Sequence, residues 1–136
     1  TGQRTQSQIF AQIVNRIMVS RSNKILGDWG ETEACKFLGR QGFEILDRNF
    51  YTTVGEIDIV ARHRGDFYFI EVKTRVTGEL ANDLSITGLK KRHFAKAVST
   101  YCYRRNIKDV GIVMAGLVVF ANRITKQVKF RLAVFC

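Results

Sequence analysis

Apolar residues recur at helical spacing from residue 8 to 19, where "QIFAQIVNRIMV" gathers Ile9, Phe10, Ile13, Val14, Ile17 and Met18 on one side. An amphipathic helix of about three turns is expected there. Its polar side carries one cation, Arg16, so packing against protein is expected rather than a place on a membrane surface. A second helix is expected from about Asp28, since Glu31, Ala34, Cys35 and Leu38 fall at i, i+3, i+4 and i+7. After "RQGF" the pattern changes to a strand at 43–51. It then alternates through "GEIDIVARHRGDFYFIEVKTR", residues 55–75, as a β-hairpin turning at Arg64-Gly65. Residues 76–86 read as a polar loop. Residues 87–106 read as a third helix with Phe94, Ala97, Val98, Tyr101 and Cys102 on its apolar side. Strands at 111–121 and 126–135, turning at Asn122-Arg123, close the chain. The order predicts an α/β layer structure with a mixed central sheet flanked by helices. Residues 1–24 form an N-terminal helix and linker, and 25–136 one domain, which suits a chain of 136 residues.

The hairpin carries acids at positions where a buried strand would carry oil. A two-residue turn at 64–65 pairs 63 with 66 and, counting outward, Asp58 with Glu71 and Glu56 with Lys73. Alternation then places Glu56, Asp58, Val60, Phe69, Glu71 and Lys73 on one face, and Ile57, Ile59, Ile70 and Val72 on the other. Opposed like charges repel. Two readings stay open: the wet face of an antiparallel sheet, or a site where a proton or a cation lies between the carboxyls. A hard divalent cation such as Mg²⁺ suits the second. Glu31, on the apolar side of its helix, is either the partner of Asp28 in an acidic capping box or a third acid of that site.

Charge adds a partner. There are 22 Lys and Arg against 12 Asp and Glu, a net +10, which favours a polyanion. Lys90, Lys91, Arg92, Lys96, Arg104, Arg105 and Lys108 follow one another between 86 and 108 without an acid. A solvated face usually mixes signs, so this one suits phosphate tracking. His93, lone among them, reads as a surface residue. The hydrophobic content of 46% argues against a disordered tail. Cys35, Cys102 and Cys136 are odd in number and form no CxxC, which argues against a zinc site or disulfide framework and for reduced thiols in a cytoplasmic protein. No apolar run approaches the ~18 residues of a membrane span, so no membrane association is expected.

"GDWGETEACKFLGRQGFEILDRNF" followed by "GEIDIVARHRGDFYFIEVKTR" resembles the YraN family, itself similar to PD-(D/E)xK restriction-endonuclease-like nucleases, the archaeal-type Holliday junction resolvases among them. The resemblance covers residues 27–75 closely and 76–121 loosely. It implies a restriction-endonuclease-like core, α-β-β-β-α-β, with an extra N-terminal helix. It further implies that Glu31, Asp58, Glu71 and the Val72 carbonyl hold Mg²⁺ or Mn²⁺. Lys73, Asp58 and Glu71 would be the catalytic residues, Lys73 orienting water or steadying charge on the phosphate, with Glu56 in support. Arg75, Lys90, Lys91, Arg92 and Lys96 would contact nucleic acid, DNA rather than RNA, branched or structured forms included. In "VMAGLVVF" the family pattern departs, Gly116 standing where relatives carry an acid. Junction-cleaving relatives act as dimers, so a homodimer is implied by analogy. Two alternatives are a non-catalytic nucleic-acid-binding module that retains the fold, and an oligomeric interaction protein assembled through the 8–19 helix.

Overall fold

The computed structural model describes residues 23–77, 88–122 and 124–135; the helix expected at 8–19 lies outside them. The elements are α1 (Asn23–Arg40), β1 (Glu44–Tyr51), β2 (Glu56–His63), β3 (Asp66–Thr77), α2 (Gly88–Arg104), β4 (Ile112–Asn122) and β5 (Val128–Val134). The strands form one sheet in chain order, antiparallel throughout except for β3 and β4, which run parallel. A parallel pair needs a crossover, and α2 lies within the segment that supplies it. This is a restriction-endonuclease-like core, α-β-β-β-α-β, extended by β5.

Each helix buries one face of the sheet. Trp29, Ala34 and Leu38 of α1 pack with Ile59, Ala61, Ile70, Ala115, Leu117 and Val119. Phe94, Ala97, Val98 and Tyr101 of α2 pack with Ile57, Val60 and Phe69. A central strand covered on both faces has no wet side, which is why β4 reads as an almost unbroken apolar run. Packing is closest where α1 crosses β3: a Cβ added at Gly30 would overlap the Thr74 side chain. At its other end α2 is tied to β1. The Tyr101 hydroxyl donates to Asp47 Oδ2 at 3.0 Å, and Arg105 reaches the same oxygen at 3.1 Å. Burial, and then the bond to Asp47, push the Tyr101 phenol up to about 12.

Helix α1 spans Asn23–Arg40 among the described residues, so helix already precedes the Asp28 start expected from the sequence. Asp28 therefore caps nothing. It sits inside the helix and pairs with Lys24 one turn back, at 2.9 Å. The capping-box reading of Asp28 and Glu31 fails for that reason. The helix ends as its sequence demands, with Gly42 at φ 90° and the Phe43 amide donating to the Leu38 carbonyl at 2.9 Å.

The hairpin has the expected register. His63 pairs with Asp66, Ala61 with Tyr68 and Ile59 with Ile70. Arg64 (φ 51°) and Gly65 (φ 85°) both take the positive angles of a type I′ turn. The β2–β3 ladder then stops at Ile59 and Ile70, so Asp58 and Glu71, and Glu56 and Lys73, are not ladder pairs. Beyond that point β2 stays with β1, Ile57 opposite Phe50 and Glu56 opposite Tyr51. β3 stays with β4 as far as Thr77 and Asn122. The two strands fork.

Candidate active site

Asp58 stands in the fork. Strict alternation would put Ile57 and Ile59 on one face, but Ile57 packs on the α2 side and Ile59 on the α1 side. The strand has changed parity between them. Asp58 reaches across the gap, and its Oδ2 accepts a hydrogen bond from the Val72 amide at 2.7 Å. The carboxylate thus takes the place of the missing ladder bond, satisfying a main-chain donor that would otherwise lie open. Asp58 and Glu71 are both 7% exposed. Desolvation pushes the Asp58 carboxyl up to about 7 against the opposing pull of the Val72 amide, and the charges of Glu31, Glu56 and Glu71 add to the rise.

Glu31, half-buried on α1, is one of these acids. Burial raises its carboxyl, Arg48 draws it down, Asp28 raises it, and hydrogen bonding from the Asn49 side chain draws it down again. The Arg48 guanidinium lies 3.9 Å from Glu31 Oε2 and donates to Thr32 Oγ1 at 3.4 Å. Asn49 holds a left-handed backbone, φ 54°, which Asn tolerates better than most residues. Sequence reasoning passed over both. The "RN" dipeptide on an edge strand signals a departure from extended backbone, but only the packing of α1 on β1 shows which acid it serves.

Alternation along β3 decides the rest. Tyr68, Ile70, Val72 and Val76 pack on the α1 side, and Phe67 and Phe69 on the α2 side. Glu71, Lys73 and Arg75 follow the latter pair. Glu71 accordingly lines a cavity of about 210 Å³ whose other walls are Val54, Gly55, Glu56, His93 and Phe94. Lys73 and Arg75 are half-buried, and the Arg75 guanidinium donates to the Thr74 carbonyl at 3.2 Å. On α2, Lys91, Arg92 and Lys96 are exposed beside His93; the Lys90 side chain lies outside the described residues. The basic helix and the Glu71–Lys73 edge of β3 therefore belong to one side of the sheet. Glu31 and Arg48 approach from the other, with Asp58 between.

A family model described as "Uncharacterised protein family UPF0102" matches residues 30–114, more than half of the chain. The chain belongs to the UPF0102, or YraN, family. A UPF0102 protein of Geobacter sulfurreducens is 44% identical over 92 residues, covering 67% of this chain and 72% of that protein. One of Campylobacter jejuni is 44% identical over 84 residues, 61% of this chain and 73% of its own length. One of Roseiflexus castenholzii is 62% identical over 50 residues; the alignment takes in 37% of this chain and 40% of the relative.

The acids of this UPF0102 chain are the right chemistry for a hard cation. All are oxygen donors, and Mg²⁺ needs only one or two carboxylates because it keeps several waters. Three carboxylates, Glu31, Glu56 and Glu71, add their charge to a desolvated Asp58, a surplus of negative charge that a divalent ion would relieve. Among the described residues no three His, Cys, Asp or Glu side chains close on a common point as they stand. The donors fit the ion by type and charge, and the side chains would have to move to share it. Among the described residues no helix is long and apolar enough to cross a membrane.

Proposed function

We propose that this UPF0102 protein binds nucleic acid, DNA being the expected form, and hydrolyses its phosphodiester bonds with Mg²⁺ or Mn²⁺. The observation that carries the reading is Asp58 in the fork of β2 and β3, desolvated and within the electrostatic reach of Glu31, Glu56 and Glu71. Asp58, Glu71, Glu31 and the Val72 carbonyl would hold the ion. When bound, such an ion lowers the pKa of its water and neutralises phosphoryl oxygens. The chain's own residues divide the remaining work. Asp58 keeps Oδ2 on the Val72 amide and has its second oxygen for the ion. Lys73, on the Glu71 side of β3, supplies positive charge where the phosphate becomes more negative. Lys91, Arg92 and Lys96 hold the backbone of the strand, a contact that positions without reading sequence.

The test is incubation with branched, single-stranded and duplex DNA, in Mn²⁺ or EDTA, beside Lys73→Ala and Asp58→Asn. Cutting is expected in Mn²⁺ only, and each variant should lose about 100-fold or more. Equal cutting by wild type and both variants would mean contaminating nuclease and a wrong site. Salt-sensitive binding with no cutting in any divalent ion would leave a binding module.

A further inference from the structure

The chain has two histidines, and the fold treats them differently. His63 closes the turn end of the hairpin, its ring stacked on Phe43 at 4.2 Å between centroids with Tyr68 edge-on. His93 stands exposed on α2 and lines the cavity that Glu56 and Glu71 also line. Its position is set by main chain. A Cβ at Gly55 would come within 2.9 Å of the His93 carbonyl oxygen, so the β1–β2 loop lies against the helix only because residue 55 has no side chain. That loop is itself braced. Thr52 Oγ1 accepts from the Gly55 amide at 3.0 Å and the Val54 amide at 3.2 Å, and donates to the Gly55 carbonyl at 2.7 Å. The main chain of His93 is therefore held against the loop that leads into Glu56.

The charge around the cavity explains what an imidazole is for at that place. Glu56 and Glu71 repel an anion from one wall, while Lys91, Arg92 and Lys96 attract one along α2. His93 lines the cavity with these acids and follows Lys91 and Arg92 on α2, and its ring offers an N–H donor whether neutral or protonated. A phosphate backbone that followed the α2 cations towards Glu71 would pass this residue. We propose that His93 is a substrate-contacting residue, its ring donating a hydrogen bond to a phosphate oxygen of a nucleic-acid strand that lies over the cavity. This rests on the nucleic-acid reading above, and not on cleavage.

The full chain is titrated with short single-stranded DNA in Ca²⁺, and the two imidazole Hε1 resonances are followed by NMR together with backbone amides. The His93 resonance should move while that of His63 stays, and His93→Ala should weaken binding roughly 10-fold, in line with loss of a hydrogen bond to a charged group. His93→Gln, which keeps an N–H donor, should retain most of the affinity. If the Lys91 and Lys96 amides move and His93 does not, or if His93→Ala binds like wild type, this inference is overturned while nucleic-acid binding stands. If no resonance moves, the nucleic-acid reading goes, and the contact with it.

Discussion

Asp58 performs two tasks with two oxygens, and they respond differently to substitution. Oδ2 holds the Val72 amide, a bond that an amide oxygen can make equally well. The negative charge is a cost to the folded chain when no cation is present, because burial raises the carboxyl to about 7. Its ordinary value is 3.8. A raised folded value means stability that is complete below pH ~4 and is lost as pH climbs through about 7. Asp58→Asn should therefore melt higher than wild type at pH 8 without divalent ions, by about 1–3 kcal/mol, and match it near pH 4. Thermal melts at the two pH values check this. Mg²⁺ should raise the wild-type midpoint at pH 8 and leave the variant unmoved. The acids were legible as residues from their places in the hairpin. The parity change between Ile57 and Ile59, which turns Asp58 into the gap, was not, because it depends on β1 and β3 drawing β2 apart.

At the level of elements, the hairpin register was legible because one turn fixes it: Arg64-Gly65 admits the type I′ reversal, and the observed pairs follow by counting. Helix α1 was harder. Its apolar positions are right, with Ala34 and Leu38 fully buried, but polar "SNK" ahead of Ile25 hid the helical residues that precede Asp28. Nor could any periodicity show how closely the helix lies on β3. Gly30 against Thr74 sets that distance, and with it the approach of Glu31 to Asp58. Gly30→Ala should cost about 1–3 kcal/mol by overpacking, although alanine is the better helix former. Adding Thr74→Ala should return part of the loss, measurable as a double-mutant cycle in urea. A cycle with no coupling would mean that the two elements have room to part.

For the whole molecule, the net charge of +10 includes a run of cations on α2. The exposed Lys91, Arg92 and Lys96 lie on the side of the sheet to which Glu71 and Lys73 belong. If they bind phosphates, removing one should weaken every DNA alike and reduce the slope of log K against log salt by about 0.9 per lost contact. Binding measured across a salt series would test this, and a slope unchanged in Lys91→Ala and Lys96→Ala would assign those charges to solubility alone. Mixed-sheet architecture could be read from the order of the patterns, but not the approach of Glu31 and Glu71 from opposite sides. The fork that joins them has a consequence for how such chains drift. A relative without nuclease activity would still need an acceptor for the amide at position 72, so selection for the fold alone would hold Asp58 or admit asparagine. The aspartate by itself then testifies to ancestry, and an asparagine there would mark a lineage that kept the shape after it had given up the charge.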